Sequence, residues 1–157
     1  LTIYEDGSYE LSDFSMTNRY RISEIKLMEK FNQDRIFTVL HYAGGTKSYY
    51  IKRFIIETST LSKRFRFISE DRGSKLILVT IEESPVLEFS YRTKRGEKKY
   101  RQENLVDFVD VKGWKAMGNK LGNYLRMSSF KWFIKNSNST GDDNSKDISV
   151  DELTLFT

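Results

Sequence analysis

Residues 36–42 and 49–56 are two runs rich in Ile, Val, Phe and Tyr on either side of Ala43-Gly44-Gly45-Thr46. β-Formers flanking a glycine turn predict a β-hairpin. The first arm does not alternate between apolar and polar. Ile36, Leu40 and Tyr42 fall on one face and Phe37, Val39 and His41 on the other, so this arm is expected to have protein on both sides. The return arm sets Lys52-Arg53 among apolar residues, which places paired positive charge on a rigid element.

The same reading extends along the chain. Residues 1–4 and 9–11 surround Glu5-Asp6-Gly7-Ser8, a second hairpin with an Asp-Gly turn. Between 18 and 35, Ile22, Ile25, Leu27, Met28 and Phe31 are spaced to suit either a helical turn or an irregular strand. Residues 63–67 (KRFRF) alternate charge with aromatic, and Asp71-Arg72-Gly73-Ser74 turns the chain into 75–81 (KLILVTI), again apolar on both faces. After Ser84-Pro85, residues 86–92 set Leu87, Phe89 and Tyr91 against Glu88, Ser90 and Arg92, and a turn at Arg95-Gly96-Glu97 leads to a polar strand over 98–101. In 106–111 the apolar phase slips between Phe108 and Val109, which predicts a β-bulge. Two-sided strands begin near residues 36, 76 and 106, at intervals of roughly 30–40 residues, so the pattern predicts an all-β, propeller-like array of small antiparallel sheets, each covering its neighbour's face.

Composition divides the chain into two parts. Residues 1–134 hold 24 basic against 17 acidic side chains, while 135–157 hold 2 against 5 and are dominated by Ser, Asn, Asp and Gly. The expectation is one folded basic domain over 1–134 and a flexible acidic tail over 135–157, whose Leu153, Leu155 and Phe156 are candidates for docking. The chain begins at Leu1, has no apolar run of membrane-spanning length and has no signal-peptide pattern, so a soluble intracellular fragment of a longer protein is expected. Zero cysteines excludes disulfides and cysteine-ligated metal.

No catalytic constellation emerges. His41 is the single histidine and sits in an apolar run, where a packed structural role is expected; Asp107 with Asp110, and Glu82-Glu83, read as solvated charge. The signal is in the cations. Residues 92–101 (RTKRGEKKYR) hold six basic side chains against one acidic. Other groups are Lys63, Arg64 and Arg66 with Arg72 and Lys75, then Lys52-Arg53, then Lys112, Lys115 and Lys120 with Arg126. Clustered cations on turns and strand edges suit the phosphates of a polyanion, contacted without reading bases. Residues 112–121 (KGWKAMGNKL) are the most specific local feature, a loop framed by glycines whose backbone can approach a phosphate closely.

Three stretches in order, LTIYEDGSYEL at the start, SYYIKRFIIET in the middle and DFVDVKGWKAMGNKL near 107–121, resemble the C-terminal domain of the A subunit of bacterial type IIA topoisomerases, nearest to the topoisomerase IV and gyrase A subunits of the Bacteroides group. The resemblance implies a β-pinwheel of four-stranded blades whose basic rim binds and bends duplex DNA. From its length, an open arc of about three blades is expected. It also implies a non-catalytic piece that needs no cofactor, because the active-site tyrosine and metal centre of the family lie in the upstream breakage-reunion domain and the ATPase B subunit. Those two, a second A subunit and duplex DNA are the implied partners, without a membrane, in a cytoplasmic, nucleoid-associated setting. The glutamine-arginine-arginine-glycine-glycine-lysine-glycine box of gyrase A subunits has no counterpart here, so topoisomerase IV-like behaviour is expected over supercoiling. The candidate phosphate contacts are Lys52, Arg53, Lys63, Arg64, Arg66, Arg92, Lys94, Arg95, Lys98, Lys99, Arg101, Lys112, Lys115 and Lys120. The alternative is a protein-interaction propeller with a merely solubilising basic surface and aromatic anchors such as Trp132 and Phe133.

Overall fold

The computed structural model describes residues 1–134; the tail expected over 135–157, with Leu153, Leu155 and Phe156, lies outside the described residues. Among the described residues the strands form three separate sheets, none closed, and helix is confined to two short turns. The first sheet contains β1 (Thr2–Tyr4), β2 (Ser8–Glu10), β3 (Ile25–Met28) and β6 (Arg64–Arg66) in the order β3-β1-β2-β6. The second is built on β4 (Phe37–Ala43) and β5 (Ser48–Ile55), with β7 (Lys75–Thr80) beside β4. The outer edge of β5 is shared by β10 (Val111–Gly113), which runs parallel, and β11 (Asn119–Lys120), which runs antiparallel. The third sheet has the order β12-β8-β9, from β8 (Val86–Arg92), β9 (Lys98–Asn104) and β12 (Leu125–Trp132).

The two-sided pattern of the central hairpin has the physical cause expected of it. Phe37, Val39, Phe54 and Leu76 pack with Ile3, Tyr9 and Phe67 in one core. Leu40 and Ile51 pack with Leu87, Phe89 and Leu105 in another. The second sheet therefore stands between the first and the third, and each core is made by facing sheets. Complete burial of Phe54, tilted against Phe67 at 5.2 Å between ring centroids, makes it one of the side chains joining the first two sheets.

Two expectations are corrected. The apolar slip after residue 106 is not a bulge but one helical turn, α1 (Leu105–Phe108), started by the Asn104 side chain accepting from the Val106 amide. Leu105 and Val109, four residues apart, are both buried in the second core, which is a helical period that resembles a strand phase error over so short a run. Second, the strands beginning near 36 and 76 do not open separate sheets. β7 pairs with β4 from Thr38↔Thr80 to Tyr42↔Lys75, so both belong to the central sheet, and β6 returns to the first sheet through Tyr9↔Phe65. Strand exchange between neighbouring sheets breaks the regular interval. In the segment left open between 18 and 35, a short 3-10 turn (Ile22–Glu24) leads into β3.

Candidate nucleic-acid interface

The basic residues separate by what surrounds them. Lys52 and Arg53 are 2% and 7% exposed, and the expectation of a rim position is corrected for both. They lie at the middle of β5, opposite Val39 and Thr38, in a strand covered by a sheet on each side. Arg53 donates from Nε to the Thr38 hydroxyl at 3.3 Å. The Lys52 ammonium donates to three carbonyls: Phe67 of the first sheet's connection, Trp114 at 2.6 Å and Ala116 at 3.0 Å. An ammonium has three donors and no acceptor, so none is left for a phosphate. Burial lowers the Lys52 pKa to about 8, which keeps it charged at neutral pH.

The Trp114 and Ala116 carbonyls belong to the connection between β10 and β11. The two short strands fasten its ends to β5, Lys112 opposite Phe54 and Lys120 opposite Tyr50, while its middle leaves the ladder. There the Met117 carbonyl accepts from His41 Nε2 at 2.9 Å. His41 is fully buried, with Nδ1 unpartnered, and desolvation pushes its pKa down to about 4. The ring is accordingly neutral, with its proton on Nε2. Gly118 adopts φ +91°, and a methyl group at that position would overlap the Ile51 carbonyl oxygen. The loop is pinned at Trp114, Ala116, Met117 and Gly118 by β4 and β5.

Pinning brings separate cation groups together. Trp114 packs edge-on against Tyr9 and Phe65 of the first sheet at 5.7 Å from each. Lys115 lies over the Trp114 ring at 5.2 Å and Lys63 over the Phe65 ring at 5.3 Å, so two lysines distant in sequence rest on two touching rings. With exposed Lys112 and Lys120 they form a basic edge along the first and second sheets. The neighbours on β6 are less free. Arg64 is shared between Asp6 and Glu10 and lies 3.6 Å above the Tyr4 ring, and half-buried Arg66 donates through Nε and Nη2 to the Ser69 carbonyl.

A second basic group lies on the β8–β9 hairpin. Lys94 and Arg95 occupy its turn and are exposed, as are Arg92, Lys98, Lys99 and Arg101. The register Tyr91↔Lys99 and Phe89↔Arg101 puts Lys99 and Arg101 on the face of the core aromatics, whereas Arg92 and Lys98 oppose one another on the other face. Arg101 is partly neutralised by Glu103 at 2.6 Å and stacks over Tyr124. Of the aromatic anchors in the rival reading, Trp132 packs into the second core and donates from Nε1 to the Val79 carbonyl, while Phe133 is 39% exposed. Among the described residues no three His, Asp or Glu side chains are grouped to hold a metal ion.

Sequence reasoning identified the loop lysines and missed their support. His41 and Lys52 read as a core histidine and a rim cation because nothing local shows that their partners are carbonyls 76, 62 and 64 residues away.

Residues 1–125 match the family model described as the topoisomerase C-terminal domain of Bacteroidota. The chain belongs to this family. It is thus a topoisomerase accessory domain, and the match spans all three sheets up to the start of β12. None of the curated proteins or solved structures compared with the chain matches it.

Proposed function

We propose that this topoisomerase C-terminal domain is an open β-pinwheel arc that binds duplex DNA through its phosphates and bends it, steering which segment the parent enzyme captures. The observation that carries this reading is the basic edge assembled by Lys63, Lys112, Lys115 and Lys120, held on aromatic rings and a pinned loop and free of carboxylate partners among the described ion pairs. The hairpin cations Lys94, Arg95, Lys98 and Lys99 extend the phosphate path, with Arg64, Arg66, Arg92 and Arg101 as weaker contributors because their guanidinium groups are already engaged. Fixed cations spaced along a surface favour a backbone reader, since each phosphate contact releases counterions whatever the base sequence.

In this reading the domain does no chemistry and needs no cofactor. It works beside the upstream breakage-reunion domain, a second A subunit and the ATPase B subunit, at the nucleoid, in a parent enzyme of topoisomerase IV type. The test is fluorescence anisotropy with two unrelated labelled duplexes at several salt concentrations. Affinity equal for both sequences and falling steeply on a log–log salt plot is expected. Absence of binding at low salt would count against DNA and in favour of a protein-docking surface.

A further inference from the structure

We infer that Lys52 is a positioning residue for the lysine loop: by holding the Trp114 and Ala116 carbonyls it sets where Lys112, Lys115 and Lys120 present their charge, without itself meeting the polyanion. This rests on the phosphate-binding reading above. Between Gly113, where β10 ends, and Asn119, where β11 begins, the backbone has left the sheet, and its carbonyls need donors from elsewhere. Lys52 and His41 supply them for Trp114, Ala116 and Met117. The third Lys52 donor goes to Phe67, so a single ammonium joins the loop, the second sheet and the first. A methionine in its place has similar length and no donor. The freed carbonyls would turn to water, and the lysines would have to be ordered at the moment of binding.

Protonation offers a second handle. A neutral amine has two N–H groups and a lone pair, so deprotonated Lys52 leaves one of its three carbonyls without a donor. The charged and titratable groups beside its carbonyl partners Phe67, Trp114 and Ala116 are His41 from β4, Lys115 from the loop, which lies over Trp114, and Arg66 from β6, bonded to the Ser69 carbonyl. His41 titrates far lower. Between about 8 and 10.5 the unfolded chain binds more protons at Lys52 than the folded one, so this group's contribution to global stability rises with pH. A change in the loop over that range is therefore local rather than unfolding.

The experiment uses the whole 157-residue chain labelled with carbon-13 at methionine methyls, with exposed Met117 as the loop reporter, assigned through Met117→Leu. In the wild type its resonance is expected to move between pH 7 and 10, and in Lys52→Met to be displaced and flat across that range. The variant should bind a duplex on the order of tenfold more weakly. A Lys52→Met variant with unchanged loop signal and affinity overturns the positioning role, and a wild-type resonance that stays fixed overturns the link between the loop and Lys52 protonation. A wild type that binds no duplex sinks the phosphate-binding reading together with it.

Discussion

The 112–120 loop and the 92–99 hairpin present similar charge on opposite kinds of support. The hairpin is held by its own neighbours: Thr93 and Glu97 exchange backbone and side-chain bonds, the Gly96 amide reaches Thr93, and Arg92 donates to the Gly96 carbonyl. The loop is held by side chains from β4 and β5, far away in sequence and wholly buried. Cations of both groups are exposed, but those on a backbone held from the core lose less entropy when a phosphate arrives than those on a turn held only by its own residues. The loop is therefore the expected anchor and the hairpin the adaptable extension.

The sharpest way to break this contrast is a matched pair of glycine substitutions. Both Gly118 and Gly96 have positive φ, but an added methyl meets the Ile51 carbonyl at the first and open space at the second. Gly118→Ala should cost roughly 3–4 kcal/mol from strain and overlap together, against about 1 kcal/mol for Gly96→Ala, read from denaturant unfolding. Equal costs would mean the loop is not pinned.

Acid should act on the loop's support through His41. The buried His41 stays neutral down to about 4, whereas the unfolded ring takes up a proton near 6.5. Its contribution is complete above pH 6.5 and is lost as pH falls from there towards 4, amounting to roughly 3 kcal/mol. Unfolding curves of the wild type and His41→Gln should converge across that range; parallel curves would remove His41 from the account.

Two triple neutralisations compare the surfaces directly. Lys112, Lys115 and Lys120 changed together to Gln should weaken duplex binding more than the same change at Lys94, Arg95 and Lys98, and each set should flatten the salt slope by about one for every phosphate no longer neutralised. A larger loss from the hairpin set would reverse their ranking. The smallest effect is expected of Arg101→Ala, which removes a surface pair with Glu103 and should change stability by less than about 1 kcal/mol in denaturant unfolding.

Much of the fold was legible because it is local. Strong β-formers around Gly44-Gly45 and Asp6-Gly7 mark hairpins, and the two-sided apolar pattern of 36–42 requires a sheet on each face wherever those sheets come from. The four-residue turn Leu105–Phe108 was illegible because one helical period and a slipped strand share the same short apolar pattern. The family resemblance was carried by residues within 1–121, and the family match covers 1–125.

The sequence by itself determined the all-β class, the hairpins, the basic character of residues 1–134 and the loop of glycines and lysines at 112–121. Only the tertiary structure decided which cations are available. Charge and spacing are identical for a lysine on a rim and a lysine at the centre of a sandwiched strand; burial and partners separate them, and both depend on where distant segments pack. Lys52 has a formal charge like that of Lys115, yet three carbonyls surround the first and solvent meets the second.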